Sequence, residues 1–196
     1  MGGTDMTRRR LLAAPLAAAA AVAVAAAGCG GETGHASPVA ASVPVAAPSA
    51  SGAPVSDQDR AWLRDTRQAD LAEIAAGRTA QRKGTTPQVT SAGAMLVQDH
   101  TASDAKLTAT ASRLGVEVPY APSNVQTLQA SELERGSGRS FDRDWLNAMI
   151  GGHEKAIAET RTEIAKGSSP DVKNLAASVL PVLQKHLATL RNAQGG

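Results

Sequence analysis

The sequence contains very few aromatic residues and almost no sulfur chemistry. Only two Trp, one Tyr and one Phe occur among 196 residues, and Cys29 is the single cysteine. One thiol excludes an intrachain disulfide and any metal site that is built from several thiolates. The shortage of aromatic rings removes the stacking surfaces that single-stranded nucleic acids require. The chain must therefore be stabilised by aliphatic packing, and nucleic acid is not an expected partner.

The chain also lacks a basic surface once its N-terminal segment is set aside. It carries 20 Lys and Arg and 18 Asp and Glu, but three of the basic residues stand together at 8–10. Without residues 1–28, 17 of the 20 basic and 17 of the 18 acidic side chains remain. A balanced charge argues against electrostatic binding of a polyanion.

The first 28 residues have the pattern of an export signal. A twin-arginine run at 8–10 precedes an apolar stretch at 11–27, which is shorter than the ~20 residues that a membrane-spanning helix needs. Small residues lie directly before Cys29, as in the signal of a lipoprotein, so we predict that Cys29 is lipidated after residues 1–28 are removed. The predicted location is the outer face of the cytoplasmic membrane, with the lipid anchor as the membrane contact. A secreted domain that is cut near Cys29 is the alternative.

Residues 29–55 are predicted to be a disordered tether. Ala, Pro, Ser, Gly and Val dominate this segment, which has neither a helical nor a strand period and few large side chains to bury. It would hold the following domain away from the membrane. His35 lies in this segment and is assigned no role.

Residues 56–193 are predicted to form an all-α, ferritin-like four-helix bundle. Apolar residues recur at steps of three and four, and no strand pattern competes with them. Ser or Thr caps, Pro at first positions and terminal Gly place the helix ends. The predicted helices cover 56–83, 86–114, 140–167 and 169–192, with a short helix at 124–135 in the longer connection between helices two and three. Pro181 is expected to kink the last helix.

One polar residue lies on the apolar stripe of each long helix. These residues are Glu73, His100, His153 and His186. At ~1.5 Å of rise per residue their heights agree within ~6 Å if the connection crosses the bundle, and within ~9 Å in an up-down-up-down bundle. We expect all four to point inward and to meet near the middle of the bundle, because turning one outward would expose large apolar neighbours.

Three imidazoles and one carboxylate would suit a mononuclear Zn, Cu or Fe(II) site. The neighbouring carboxylates are candidates for orienting the imidazoles: Asp70, Asp99 and Glu154. The alternative is a buried polar layer that is hydrogen-bonded within itself and fixes helix register without a ligand.

Other cofactor chemistry has little support in the sequence. A di-iron bundle uses Glu-x-x-His on two helices, but Val97 and Leu183 stand three residues before His100 and His186. Haem has no Cys-x-x-Cys-His attachment motif, and no phosphate loop or nucleophile elbow is present. The leading interpretation is therefore a non-enzymatic binding or structural module of the cell envelope, with an unknown ligand and unknown protein partners. A metal-binding or redox protein is the alternative.

Several short motifs resemble those of the DUF4142 family of exported bacterial proteins, in the same order along the chain. They are Asp57-Gln58, Leu71-Ala72-Glu73, Asp99-His100-Thr101, Gly115-Val116, Phe141-Asp142, His153-Glu154-Lys155 and Leu180-Pro181-x-Leu183-x-x-His186. The resemblance covers residues 56–193. It implies a ferritin-like bundle outside the cytoplasm, and the family carries no established activity to transfer.

Overall fold

The computed structural model describes residues 53–195, which form five helices and no strand. The helices are α1 (Asp57–Lys83), α2 (Pro87–Arg113), α3 (Asn124–Arg135), α4 (Gly138–Lys166) and α5 (Pro170–Gly195). The predicted signal segment, Cys29 and nearly all of the predicted tether lie outside the described residues. No helix within 53–195 combines the length and apolarity that a membrane span requires.

Short-range capping sets most helix starts where the sequence predicts them. Ser56 and Asp59 form a reciprocal capping box at α1, and Ser123 and Gln126 form another at α3. Thr86 caps α2 by accepting the backbone N–H of Val89. Each side chain satisfies a donor that the first helical turn leaves unpaired.

The predicted N-cap of α4, Ser140, is wrong by three residues. The helix begins at Gly138, and Ser137 is its N-cap residue although its side chain makes no capping bond. Gly138 has a φ of +60°, a conformation that glycine adopts without the steric cost of a Cβ atom. The Ser140 hydroxyl instead donates to the Ser137 carbonyl. The last helix also extends beyond the predicted end, to Gly195, and stays helical through Pro181.

Helix α1 is antiparallel to α4. Trp62, near the start of α1, donates its indole N–H to Thr160 near the end of α4, at 3.3 Å. Trp145, near the start of α4, donates to the carbonyl of Ala76 near the end of α1, at 2.9 Å. These two buried bonds tie the helices together at both ends.

The connection between α2 and α4 crosses the length of the bundle. Helix α1 packs on α2 and α4, and α5 packs on α2 and α4. Arg113 at the end of α2 pairs with Asp171 at the start of α5, so this pair is antiparallel as well. Since each of these four helix pairs is antiparallel, residues 114–137 must run from one end of the bundle to the other. This confirms the ferritin-like arrangement.

A close approach of α1 and α2 depends on two glycines. A Cβ atom at Gly77 would lie 2.6 Å from the Gly93 carbonyl oxygen, and one at Gly93 would lie 2.7 Å from the Gly77 carbonyl oxygen. Real Cβ atoms do not tolerate such distances, so the two backbones can touch only because both side chains are absent.

The hydrophobic core is divided into two clusters. One contains Leu63, Leu107 and Leu183, and the other contains Phe141 and Trp145. The four polar positions singled out in the sequence lie between the two clusters. The apolar core therefore encloses a polar layer near the middle of the bundle.

Candidate metal centre

Three histidines from three different helices converge between the two apolar clusters. The ring centroids of His100 and His153 are 5.6 Å apart, those of His100 and His186 are 5.2 Å apart, and those of His153 and His186 are 5.4 Å apart. One nitrogen of each ring lies within 4.8 Å of the corresponding nitrogens of the other two. His153 and His186 are completely buried and His100 is 4% exposed.

Glu73 of α1 completes the group. Its Oε2 lies 2.6 Å from His100 Nε2 and 3.5 Å from His153 Nε2. Oε2 and His100 Nε2 are buried, and neither has an aligned hydrogen-bond partner despite their short separation. All four residues point inward and meet between the helices, as their stripe positions predict.

The outer nitrogen of each imidazole is held by a hydrogen-bond acceptor. His100 Nδ1 donates to Asp70 at 2.7 Å, and His186 Nε2 donates to Asp99 at 2.9 Å. His153 Nδ1 donates to the carbonyl of Met149 at 2.9 Å, which can only accept. These contacts assign the proton of each neutral ring to its outer nitrogen.

The inner nitrogens then present lone pairs to one another. His153 Nε2 and His186 Nδ1 face each other at 3.3 Å. Both rings already donate from their other nitrogen, so neither neutral ring has a proton to share across this gap. With Glu73 Oε2, the centre is a set of acceptors that requires a cation, either a proton or a metal ion.

Burial and the charges of neighbouring side chains raise some pKa values in this group and lower others. Burial alone would lower the pKa of His100, but the charge of Glu73 and the bond to Asp70 outweigh it and raise the pKa to about 10. Burial would raise the pKa of Glu73, yet the positive charge of His100 and the imidazole of His153 hold it below its usual value. Burial raises the pKa of Asp70. Burial, reinforced by the neighbouring imidazoles, lowers the pKa of His186.

Two of the three carboxylates that were predicted to orient the imidazoles, Asp70 and Asp99, accept a hydrogen bond from one. Glu154 does not: it is half exposed and pairs with Arg191 at 2.6 Å. Glu154 follows His153 directly, so it projects about 100° away around the helix axis. The Met149 carbonyl takes the corresponding role at His153, and no sequence signal distinguishes that carbonyl from any other in a helix.

A cleft leads from the surface to one side of the centre. It has a volume of about 660 Å³ and is framed by α1, α3 and α4, with Asp70, Glu73 and His100 among its lining residues. Gly152 of α4 faces Glu73, and a Cβ atom there would lie 3.4 Å from Glu73 Oε1.

The chain also contains an internal repeat of two short motifs. Asp-Arg-x-Trp-Leu occurs at 59–63 and 142–146, and Lys-Gly followed by two hydroxyl residues and Pro occurs at 83–87 and 166–170. Both pairs are separated by 83 residues. Comparing the sequence with itself would have found this signal.

The repeated aspartates make equivalent contacts in the structure. Asp59 at the start of α1 accepts the backbone N–H groups of Ser168 and Ser169 in the α4–α5 turn. Asp142 at the start of α4 accepts the N–H of Thr85 at 3.0 Å in the α1–α2 turn. Each half of the bundle thus holds the turn of the other half.

Comparison with known proteins places the chain in a family and supports its fold. Residues 44–193 match the family described as a domain of unknown function, DUF4142. No curated protein matches the sequence. The crystal structure of a DUF305 fragment from Deinococcus radiodurans is similar, with a TM-score of 0.65 and 16% sequence identity over 72% of this chain and 98% of that chain. At that identity the likeness concerns the helical fold alone. The match over residues 44–193 shows that this chain belongs to the DUF4142 family.

Proposed function

We propose that the bundle binds one divalent transition-metal ion through His100, His153, His186 and Glu73. The observation that carries this proposal is the orientation of the three imidazoles. Each donates its outer N–H to a protein acceptor, so each neutral ring turns a lone pair toward the same interior point. Histidines that bind metals in proteins are oriented in the same way by carboxylates and carbonyls.

Two of the separations between inner atoms suit a tetrahedral ion. Four ligands at ~2.0–2.1 Å from a metal lie about 3.3 Å from one another. His153 Nε2 and His186 Nδ1 are 3.3 Å apart, and His153 Nε2 and Glu73 Oε2 are 3.5 Å apart. The 2.6 Å contact between His100 and Glu73 would have to open by several tenths of an ångström. Zn, Cu and Fe(II) all accept this nitrogen-rich ligand set.

A polar layer without a metal is the second candidate function. It is favoured by the position of the group between two apolar clusters, where His100 already contacts both Asp70 and Glu73. In that case the layer fixes the register of the helices, and protons supply the positive charge.

Metal analysis of the purified protein separates these two functions. We expect one Zn, Cu or Fe per chain after purification or reconstitution. His153→Ala should lower the affinity by at least about 100-fold, since it removes a ligand and opens a cavity. His35→Ala, in the predicted tether, is the matched control and should bind metal normally. A protein that retains no metal, and takes up none on equilibrium dialysis, would establish the polar layer instead.

We also propose that the bundle is carried outside the cytoplasm as a lipoprotein anchored at Cys29. The twin-arginine run and the small residues before Cys29 support this proposal. Cys29→Ala should move the protein from the membrane fraction to the soluble fraction. If the variant is processed normally and remains in the membrane, the anchor is not at Cys29.

A further inference from the structure

We propose that the cleft framed by α1, α3 and α4 is the route by which the metal ion enters and leaves the centre, and that carboxylates in the cleft draw the cation inward. This inference rests on the proposed metal site and concerns how that site is loaded. Four protein ligands enclose a bound ion, so the ion can arrive or depart only where one of these ligands can be reached from outside.

Glu73 is the ligand on the accessible side of the centre. It lines the cleft together with His100, whereas His153 and His186 do not. Glu73 is 7% exposed, and His153 and His186 are completely buried. The two buried histidines therefore form the closed side of the site, and an ion that comes through the cleft meets Glu73 and His100 first.

Carboxylates lie at the outer and inner ends of the cleft. Asp65 is exposed and the side chain of Glu159 is 44% exposed, so both meet the solvent. Asp70 and Glu73 line the same cleft and are buried. Asp65, Ala69 and Glu73 follow one another at steps of four residues, so they lie along one face of α1. An ion that moves along this face leaves one acidic group as it reaches the next.

The charge of the cleft favours a cation. Four carboxylates line it against one lysine, Lys155, which pairs with Glu159. A protonated His100 would offset one further charge and would still leave the lining negative. A concave surface of one sign raises the local concentration of ions of the opposite sign and speeds their association. The cleft therefore attracts a metal cation and repels anions.

Two buried carboxylate oxygens at the inner end of the cleft lack partners. Within residues 53–195, Asp70 Oδ2 and Glu73 Oε2 are buried and have no aligned hydrogen-bond partner. Asp70 accepts from His100 through its other oxygen, Oδ1, at 2.7 Å. A buried charged oxygen without a partner is costly, and a cation would compensate that cost. These two oxygens are therefore suited to hold the ion as it passes from the cleft to the histidines.

The walls of the cleft leave space along this route. Gly151 and Gly152 line it on α4. A Cβ atom at Gly151 would meet nothing within 4 Å, and one at Gly152 would lie 3.4 Å from Glu73 Oε1. Helix α3 contains no buried residue and presents Gln126 and Gln129 to the cleft. The route is thus not filled by side chains of the core.

Neutralising the two outer carboxylates tests the role of charge. Co(II) binding to the metal-free full chain is followed by stopped-flow absorption, because the visible bands of Co(II) report its coordination. In ~0.1 M salt, which screens charges outside the cleft, the double variant Asp65→Asn/Glu159→Gln should bind Co(II) about fivefold more slowly than the unmodified chain. Asp144→Asn/Asp171→Asn removes two exposed carboxylates outside the cleft and is the matched control, which should bind at the unmodified rate.

Filling the cleft tests the route itself. Gly151→Leu on α4 and Ala130→Leu on α3 each add a side chain to a wall of the cleft. A narrower route raises the barrier equally in both directions, so Co(II) association and Co(II) release into excess chelator should both slow about tenfold, with an unchanged dissociation constant. Ala158→Leu, at an exposed position on α4 outside the cleft, is the matched control and should change neither rate.

Each outcome has a distinct meaning. Failure of the unmodified chain to bind Co(II) would overturn the proposed function itself. Co(II) binding at rates that neither the charge variant nor the filling variants change would show that the ion enters elsewhere, and would overturn only this inference. If the filling variants also change the dissociation constant, they have disturbed the centre and the charge variant decides. Slower association in that variant, abolished by high salt, supports the route, and an unchanged rate overturns it.

Discussion

The two halves of the bundle share a scaffold but not a chemistry. The first hairpin is α1–α2 and the second hairpin is α4–α5. Both begin with Asp-Arg-x-Trp-Leu and turn at Lys-Gly with the same 83-residue offset. Their aspartates hold each other's turns, and both tryptophans donate across the α1–α4 contact. The repeated residues therefore serve the pairing of the hairpins.

The candidate centre breaks this symmetry. The first hairpin supplies His100 and every carboxylate that contacts an imidazole, and the second hairpin supplies His153 and His186. At the 83-residue offset His153 corresponds to Asp70, and His186 corresponds to Ser103. The acids lie on one hairpin and two of the bases on the other, so the group is complete only when the hairpins pack.

The hairpins also differ in how closely their helices approach. Gly77 and Gly93 form the contact in the first hairpin, and Thr160 and Ala176 occupy the corresponding positions in the second. The first hairpin therefore depends on backbone contact, whereas the second has side chains at these positions. Each of the following experiments disturbs one of the two hairpins or the contact between the two.

The largest expected effect is the stabilisation, by a bound metal ion, of the contact between the two hairpins. An ion held by both hairpins adds about 4 kcal/mol to the free energy of unfolding when free metal exceeds its dissociation constant 1,000-fold. Denaturant titrations with and without metal measure this gain. Glu73→Gln should lose most of it, because the neutral amide is a poor ligand. An equal gain in the variant would place the metal elsewhere.

The next effect comes from the backbone contact of the first hairpin. Gly93→Ala should destabilise the fold by up to about 3 kcal/mol, since the new Cβ atom would lie 2.7 Å from the Gly77 carbonyl oxygen and force the helices apart. Gly151→Ala is the matched control in the second hairpin. Its Cβ atom meets nothing within 4 Å, so it should stabilise the fold by about 0.5–1 kcal/mol. Equal shifts in the thermal midpoint would refute the close-approach argument.

The two aspartates that hold the turns should have similar effects of about 2 kcal/mol. Asp59→Ala leaves the backbone N–H groups of Ser168 and Ser169 without an acceptor, and Asp142→Ala leaves the N–H of Thr85 without one. Urea denaturation measures both losses. Asp144→Ala, at an exposed aspartate paired with Arg143, should change stability by less than about 0.5 kcal/mol. A loss of stability in only one of these two variants would show that the two repeated aspartates are not equivalent in function.

The smallest effect is a pH dependence that arises where Glu163, near the end of α4, faces the start of α1. Burial, with the adjacent Asp59, raises the pKa of Glu163 to about 7, against the opposing contributions of Gln58 and Lys173. A carboxyl whose folded pKa is raised stabilises the fold fully below its unfolded value of 4.5, and this contribution is lost as the pH rises to about 7.

Glu163→Gln should remove this pH dependence, because the amide keeps the shape of the protonated acid without titrating. Denaturation midpoints between pH 4.5 and 8 test this expectation. The unmodified chain should lose stability across this window relative to the variant. A constant difference between the two proteins would assign the pH dependence to other groups.

The site could be predicted at the level of residues but not of atoms. The spacing along each stripe was enough to select Glu73, His100, His153 and His186 and to place them at similar heights. Glu154 was wrongly included among the orienting carboxylates, although its rotation from His153 follows from helical geometry. Asp99 adjoins His100 in sequence but binds His186 on another helix, and no local pattern indicates that partner.

By itself the sequence determined the helices, because caps, apolar periods and terminal glycines act over three or four residues. It also determined which residues face inward, since a stripe of large apolar neighbours fixes the buried side of each helix. Only the tertiary structure decided that the connection crosses the bundle and which nitrogen of each imidazole faces the centre. Those features depend on how far apart the helices lie and how each is rotated. Contacts such as Gly77 with Gly93 and Asp142 with Thr85 set that geometry across 16 and 57 residues of sequence.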